Sequence, residues 1–366
     1  MSRVDGKYLR LLHKIMDEGV LKGDRTGTGT KSIFHHTLEL DMADGFPLLT
    51  TKKMFTKGII HELLWLLNGD TNIKYLVNNG VNIWTGDAYK KYEHYHNNHP
   101  TIHSNRFDIL SQEDFVDKIN NFDDDDHFVK EWGDLGPIYG KQWREWKTLI
   151  PYDITNENCK VAVKTIDQIQ NVIDQLNNNP DGRRIMVSAW NVGEISEMTL
   201  PPCHWAFEFY TEELTHDERI KIVIDTVDWV RDSFDPAHEA NKYLYRGQPL
   251  IYGDLIPYRK LSLKWHQRSC DTFLGIPFNI ASYGFLLHMV AQQVNMIPDK
   301  LIGDLTNVHI YKNHFDQVAE QLSRTNEFDS PKLILNKAKD IFSYKFEDFK
   351  IEDYKSHSSI KAPLSN

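Results

Sequence analysis

Cysteine is scarce in this chain. Its 366 residues hold three, Cys159, Cys203 and Cys270, spaced too widely for a disulfide framework or a CxxC metal knuckle. A lone reactive thiol is what that leaves open. Long apolar runs are also missing: no stretch approaches the roughly 18 residues of a membrane span, and the opening MSRVDGKYLR lacks the apolar centre of a signal peptide. The expectation is a soluble, cytoplasmic protein. Positive charge is in deficit, 42 Lys and Arg against 52 Asp and Glu, so the net field of −10 opposes a nucleic-acid partner. Repeats and low-complexity linkers are absent too, which favours one domain over residues 1–366.

What is present alternates between strongly patterned and irregular stretches. Residues 7–18 carry apolar side chains at helical spacing, ending at Gly19. DRTGTGT, residues 24–30, predicts a tight hydroxyl-rich loop with Arg25 at its entrance; it lacks the lysine and spacing of a P-loop. A helix is predicted from Thr56 to Asn68-Gly69, another over IDQIQNVIDQL, and a strand through Trp190 after the turn PDGRR. HWAFEFY predicts a strand with Trp205, Phe207 and Phe209 on one face, and a long helix from about Pro277 precedes a last strand, TNVHIY. Two segments, about 85–132 and 211–259, shift to charged and polar composition with weak periodicity, so they read as irregular insertions. His94, His96, His99 and His103 match no closed metal site, and no metal is expected.

Three features carry chemistry. Glu62 falls on a helix face with Gly58, Ile59, Trp65 and Leu66, and a carboxylate among apolar neighbours is costly unless it has a task. Burial raises such a pKa, which suits a proton donor near neutrality. Cys203, in LPPCHW, sits at the mouth of a strand after two prolines, a better place for a nucleophile than for packing. Arg25, Arg183, Arg184 and Arg268 stand in non-helical positions, where guanidinium groups can hold phosphate. A thiol nucleophile with phosphate-holding arginines suits covalent chemistry on a small phosphorylated substrate. A cysteine hydrolase built on Cys203-His204 is disfavoured, because consecutive strand residues point to opposite sides.

DRTGTGT, FPLLTTKK, HELLWLLNGDTN, GDLGPIYGKQWR, RRIMVSAWN, LPPCH, QRSCDTFLGIPFNIASY and VHIYKNH, in that order, resemble the thymidylate synthase family. The resemblance implies an α+β fold, a mixed sheet flanked by helices, with the sheets of a homodimer packed back to back. It implies dUMP and 5,10-methylenetetrahydrofolate as substrates, the folate as co-substrate with no metal, and dTMP with dihydrofolate as products. By motif, Cys203 resembles the nucleophile that adds to uracil C6, with Glu62 the general acid/base, Tyr139 in proton removal from C5, and Arg268 lowering the pKa of the thiol. Arg25, Arg268 and Ser269 resemble the phosphate ligands of one subunit, and Arg183 and Arg184 those that reach in from the other. Asn279 resembles the reader of the uracil edge, and His309 and Tyr311 the ribose pair. Lys52, Trp84, Leu200, Asp271, Phe278 and the terminal Asn366 resemble the folate side, Asp271 also serving catalysis.

The chain departs from the family pattern at Thr85, where an acid is usual, at His266 for tyrosine, at Asn307 for aspartate, and at the polar Asn366. The alternatives are a deoxyuridylate hydroxymethylase, in which water captures the methylene intermediate and tetrahydrofolate leaves, and an inactive nucleotide- or RNA-binding relative. Bulky Trp84 and Leu200 favour the synthase, since they limit water over the intermediate. The full catalytic set argues against an inactive relative.

Overall fold

The computed structural model describes residues 2–99, 109–155, 158–245 and 256–364. Its centre is a seven-stranded mixed sheet in the order Val20–Lys22, Thr30–Asp41, Ile297–Tyr311, Arg259–Gln267, His204–Glu213, Met186–Ser188, with Cys270–Asp271 beside Ile297–Tyr311. Pairings are antiparallel except those of Arg259–Gln267 and Cys270–Asp271 with Ile297–Tyr311, which are parallel. A parallel neighbour needs a crossover. The helix Gly275–Gln293 supplies it, and its residues Ile276, Ile280, Ala281, Phe285, Leu287 and Met289, all buried, show why it is apolar nearly all round.

The helix Arg3–Glu18 covers the same side of the sheet, burying Tyr8, Leu11, Leu12 and Ile15. Its start is capped by Ser2, whose Oγ accepts from the Asp5 N–H at 3.3 Å. Asp5 in turn accepts hydrogen bonds from the backbone and hydroxyls of Thr50 and Thr51 at 2.6 to 3.0 Å. A buried carboxylate so satisfied pins the FPLLTTKK segment, which leads directly into the helix Thr56–Leu67 that bears Glu62. The opposite face of the sheet stays open and charged: Glu208 pairs with Lys264 at 2.7 Å and His266 at 3.1 Å, and Asp304 pairs with His266 at 3.2 Å and His35 at 2.9 Å.

Several predicted features are corrected. The described residues within 85–132 are not irregular: helices Thr85–Asn98, Gln112–Asn121 and His127–Trp132 surround Tyr92, whose ring meets Phe115, Phe128 and Trp132 at 5.3, 5.8 and 5.2 Å. Aromatic packing, not aliphatic periodicity, holds them. His96 and His99 join that stacking against Tyr92 and Tyr95, while His103 lies outside the described residues. The described residues within 211–259 form helices His216–Thr226, Asp228–Arg231 and Pro236–Tyr245 around a separate small core that includes Val223, Val227, Val230, Ala240 and Tyr243. They do join two adjacent strands, as expected. The strand predicted through Trp190 ends at Ser188.

The strand His204–Glu213 breaks its alternation at a bulge between His204 and Ala206. Trp205 therefore leaves the face of Phe207 and Phe209 and packs at 5.3 Å against His266 on the open side, while His204 turns inward to Tyr283.

Candidate active site

Cys203 sits on a turn held from two directions. Its N–H donates to the Tyr139 hydroxyl at 2.7 Å, and its carbonyl accepts from the Arg268 N–H at 2.9 Å. The Arg268 side chain grips the same turn, Nε donating to the Pro202 carbonyl and Nη2 to that of Pro201, both at 2.9 Å. Prolines leave these carbonyls without a strand ladder to join, so the guanidinium fork satisfies them. Burial raises the Cys203 thiol above its ordinary pKa; Arg268 and Arg25 oppose the rise, while Asp87 and Asp271 add to it. Arg268 acts in the expected direction, favouring the thiolate, but burial outweighs it. His204 is no general base for the thiol, since burial pushes it down to about 3 and its ring hydrogen-bonds Tyr283 at 2.8 Å.

Glu62 has the surroundings its helix spacing predicted. Burial raises its carboxyl to about 7, and Trp84 Nε1 donates to Oε1 at 2.8 Å. Trp84 is itself buried and meets Tyr139 edge-on at 6.1 Å, so Glu62, Trp84, Tyr139 and Cys203 form a contiguous series. Burial also lifts the Tyr139 hydroxyl well above its usual range, keeping it protonated.

The glycine-threonine loop is organised by a residue that sequence reading passed over. Asp24 accepts from the Gly29 N–H at 2.6 Å and the Thr26 N–H at 2.9 Å, and Gly27 and Gly29 take φ of 76° and 78°, open to glycine at little cost. Arg25 is thereby carried at the exposed tip, and its charge reaches Cys203, Asp87 and Tyr311. Ser269 follows Arg268 and is partly exposed. Arg183 and Arg184 stand apart on an exposed turn, and among the described residues neither guanidinium has an ion-pair partner.

Asn279 has its amide orientation fixed by a neighbour. The Trp265 indole N–H can only donate, so the Gln267 atom it meets at 3.2 Å is Oε1. That oxygen also faces Asn279 at 2.9 Å, which must then present Nδ2, leaving Asn279 Oδ1 and one amide proton for another partner. Gly303 makes room for this tryptophan, because a Cβ there would lie 2.5 Å from its ring. Neither Gln267 nor Trp265 was predicted; a QRS motif beside a strand tryptophan was the available signal. His309 lies 5.1 Å from Tyr311, ring perpendicular to ring, and donates from Nδ1 to the Asn307 carbonyl at 2.7 Å, which leaves Nε2 as an acceptor. Asn307 reaches that geometry at φ 50°, a left-handed conformation asparagine tolerates.

On the expected folate side, Asp271 accepts from the N–H groups of Phe273 and Leu274 at 3.0 and 3.2 Å through one oxygen. Leu200 precedes the Cys203 turn, and Phe278 precedes Asn279 on the long helix; both are partly exposed. Lys52 is instead buried, donating to the Phe273 carbonyl and lying 3.8 Å over that ring, with burial lowering its pKa to about 7. Its ammonium supports the wall beneath Asp271. Asn366 lies outside the described residues. Among the described residues no cluster of His, Cys, Asp and Glu could hold a metal ion, and no helix is long and apolar enough to cross a membrane.

The chain thus combines a mixed sheet flanked by helices with a thiol on an arginine-held turn, a protonatable carboxyl and an asparagine with free amide edges. The sequence model of thymidylate synthase matches residues 6–366, and the chain belongs to that family. Its activity is of the folate-dependent dUMP methylation or hydroxymethylation kind.

Proposed function

We propose that the protein catalyses reductive methylation of dUMP by 5,10-methylenetetrahydrofolate, giving dTMP and dihydrofolate. The observation that carries this is the series from Glu62 through Trp84 and Tyr139 to Cys203, which joins a carboxyl held to about 7 to a thiol nucleophile. The Cys203 sulfur adds as thiolate to C6, leaving C5 nucleophilic. Asn279 offers Oδ1 to N3–H and its second amide proton to O4, a pattern that cytosine, with the reverse polarity, does not satisfy. Glu62 exchanges protons near O4, and Tyr139 assists loss of the C5 proton. The folate supplies the one-carbon unit and the hydride. Asp271, Leu200, Phe278, Trp84, Lys52 and Asn366 form or support its side of the cleft.

Arg25, Arg268 and Ser269 hold the phosphate, and Arg183 and Arg184 of a second copy complete the site. Two things support a homodimer: among the described residues those arginines have no ion-pair partner, and the open sheet face carries both signs of charge, which suits an isologous contact across a two-fold axis. The 366 residues act as one catalytic domain in the cytoplasm, the segments 85–132 and 211–259 being elaborations of it.

A spectrophotometric assay with dUMP and methylenetetrahydrofolate should record dihydrofolate formation. A hydroxymethyl product without dihydrofolate would replace this reaction with water capture. Cys203→Ser should lose both turnover and covalent trapping of 5-fluoro-dUMP; retained turnover would remove the nucleophile.

A further inference from the structure

The C-terminal segment is strapped across the body at successive points. The Tyr354 hydroxyl donates to the Leu49 carbonyl at 2.8 Å, the His357 N–H to the Thr50 carbonyl at 2.8 Å, and Arg324 holds the Ser358 carbonyl at 2.6 Å. The last of these anchors is the Pro363 carbonyl, which accepts from Nε2 of His314 at 2.7 Å. His314 is completely buried between the rings of Phe273 and Tyr311, at 5.5 and 5.7 Å. Its other nitrogen, Nδ1, has no hydrogen-bond partner and lies 3.9 Å from Oδ1 of Asp271.

An unsatisfied buried nitrogen beside a carboxylate calls for a physical reason. A carbonyl only accepts, so the strap demands the imidazole proton at Nε2. A neutral ring has one proton, and Nδ1 then presents a lone pair to Asp271, which takes its hydrogen bonds from the backbone of Phe273 and Leu274 instead. With the strap displaced, nothing holds the proton at Nε2. It can move to Nδ1, which faces Oδ1 of Asp271 across 3.9 Å, the oxygen that accepts from Phe273 and Leu274; a small approach would let it donate there, drawing charge from the carboxylate and weakening the acceptor left for a donor-bearing ligand.

We propose that His314 is a positioning residue that couples seating of the C-terminal strap at Pro363 to the acceptor capacity of Asp271. Resting on the folate reading above, the ligand at Asp271 is the donor-rich 2-amino-4-oxo edge of the pterin. Coupling is reciprocal: the seated strap favours folate, and folate favours the seated strap.

Two variants separate the nitrogens. A glutamine amide reaches the place of Nε2 and an asparagine amide the place of Nδ1. His314→Gln should keep the strap bond and rescue function. His314→Asn should lose that bond and aim a permanent donor at Asp271, raising KM for methylenetetrahydrofolate about tenfold with a smaller change in kcat, the loss expected for one hydrogen bond. In the ligand-free protein, hydrogen–deuterium exchange over residues 359–364 should be faster in His314→Asn than in wild type, and unchanged in His314→Gln. A chain ending at Ala362 loses Asn366 as well as the strap bond, so its KM should rise at least as far, and His314→Asn should add little to it; ligand-free exchange of the segment before Ala362 also serves if His314→Asn fails to fold. Equal behaviour of the two variants, or additive effects in the truncated chain, would overturn the coupling. If wild type makes no dihydrofolate, the reaction is wrong, whereas the ligand-free exchange still decides the His314 arrangement.

Discussion

Glu62→Gln should make the protein more stable and less active, with the stability gain confined to neutral and alkaline pH. In the folded chain burial holds the carboxyl to about 7, against an ordinary value of 4.5. Between those values the unfolded chain has released the proton and the folded chain has not, so stability falls as pH rises through this window and levels off above it. At about 1.4 kcal/mol for each pKa step of one, the accumulated cost is about 3 kcal/mol, to order of magnitude. A glutamine keeps an oxygen for Trp84 Nε1 and cannot ionise. Urea denaturation at fixed protein concentration should therefore give equal midpoints near pH 4.5 and a variant midpoint higher by about 1 M near pH 8, taking a slope of about 3 kcal/mol per molar. Turnover should drop about 10²- to 10⁴-fold through loss of the proton carrier. A variant no more stable than wild type at pH 8 would mean that Glu62 ionises freely in the folded protein, and the case for it as the proton donor would fail.

Two further outcomes follow from the cleft. Arg268→Gln removes the charge that opposes the burial-driven rise of Cys203, so the pH profile for iodoacetamide alkylation of that thiol, followed on the Cys203 peptide by mass spectrometry to separate it from Cys159 and Cys270, should move still higher, and an unmoved profile would separate Arg268 from the sulfur. Trp265→Phe removes one of two contacts that orient Gln267, the other being the Ser269 carbonyl, which accepts from Gln267 Nε2 at 3.0 Å and keeps Oε1 toward Asn279. Preference for dUMP over dCMP should therefore weaken by less than about threefold, below the scale of one hydrogen bond, and in steady-state competition between the two nucleotides a larger loss would show that Trp265 alone sets the orientation.

Much of the sheet and its covering helices was legible, because Thr56–Leu67, Gln168–Asn178 and Gly275–Gln293 have caps, turns or apolar patterns that local physics reads directly. The helices after Thr85 were not, since their contacts are between rings spaced irregularly along the chain and their outer faces are polar. His216–Thr226 did carry a sign: Thr215 and Glu218 form a capping box, spelled out as THDE. Within the cleft, Cys203 and Glu62 announced themselves through a proline boundary and an odd carboxylate. Asp24, Gln267 and His314 did not, because their importance lies in which atom of a neighbour each one faces, and that is settled only when distant segments meet. The net rise of the thiol's pKa was hidden for the same reason: the arginine that lowers it is visible in sequence, and the enclosure that outweighs the arginine is not.

The extra residue at Trp205 sets the two ends of its strand out of phase. From Phe207 onward the inward positions are odd-numbered, yet at the nucleophile's end it is His204 that turns inward. Straightening the bulge without shortening the chain would either expel His204 from beside Tyr139 or reverse Phe207 and Phe209, whereas deleting one residue there would leave both facing inward on a regular strand. The nucleophile's surroundings and the hydrophobic core are thus written in two reading frames on one strand, and a single-residue offset keeps both in register.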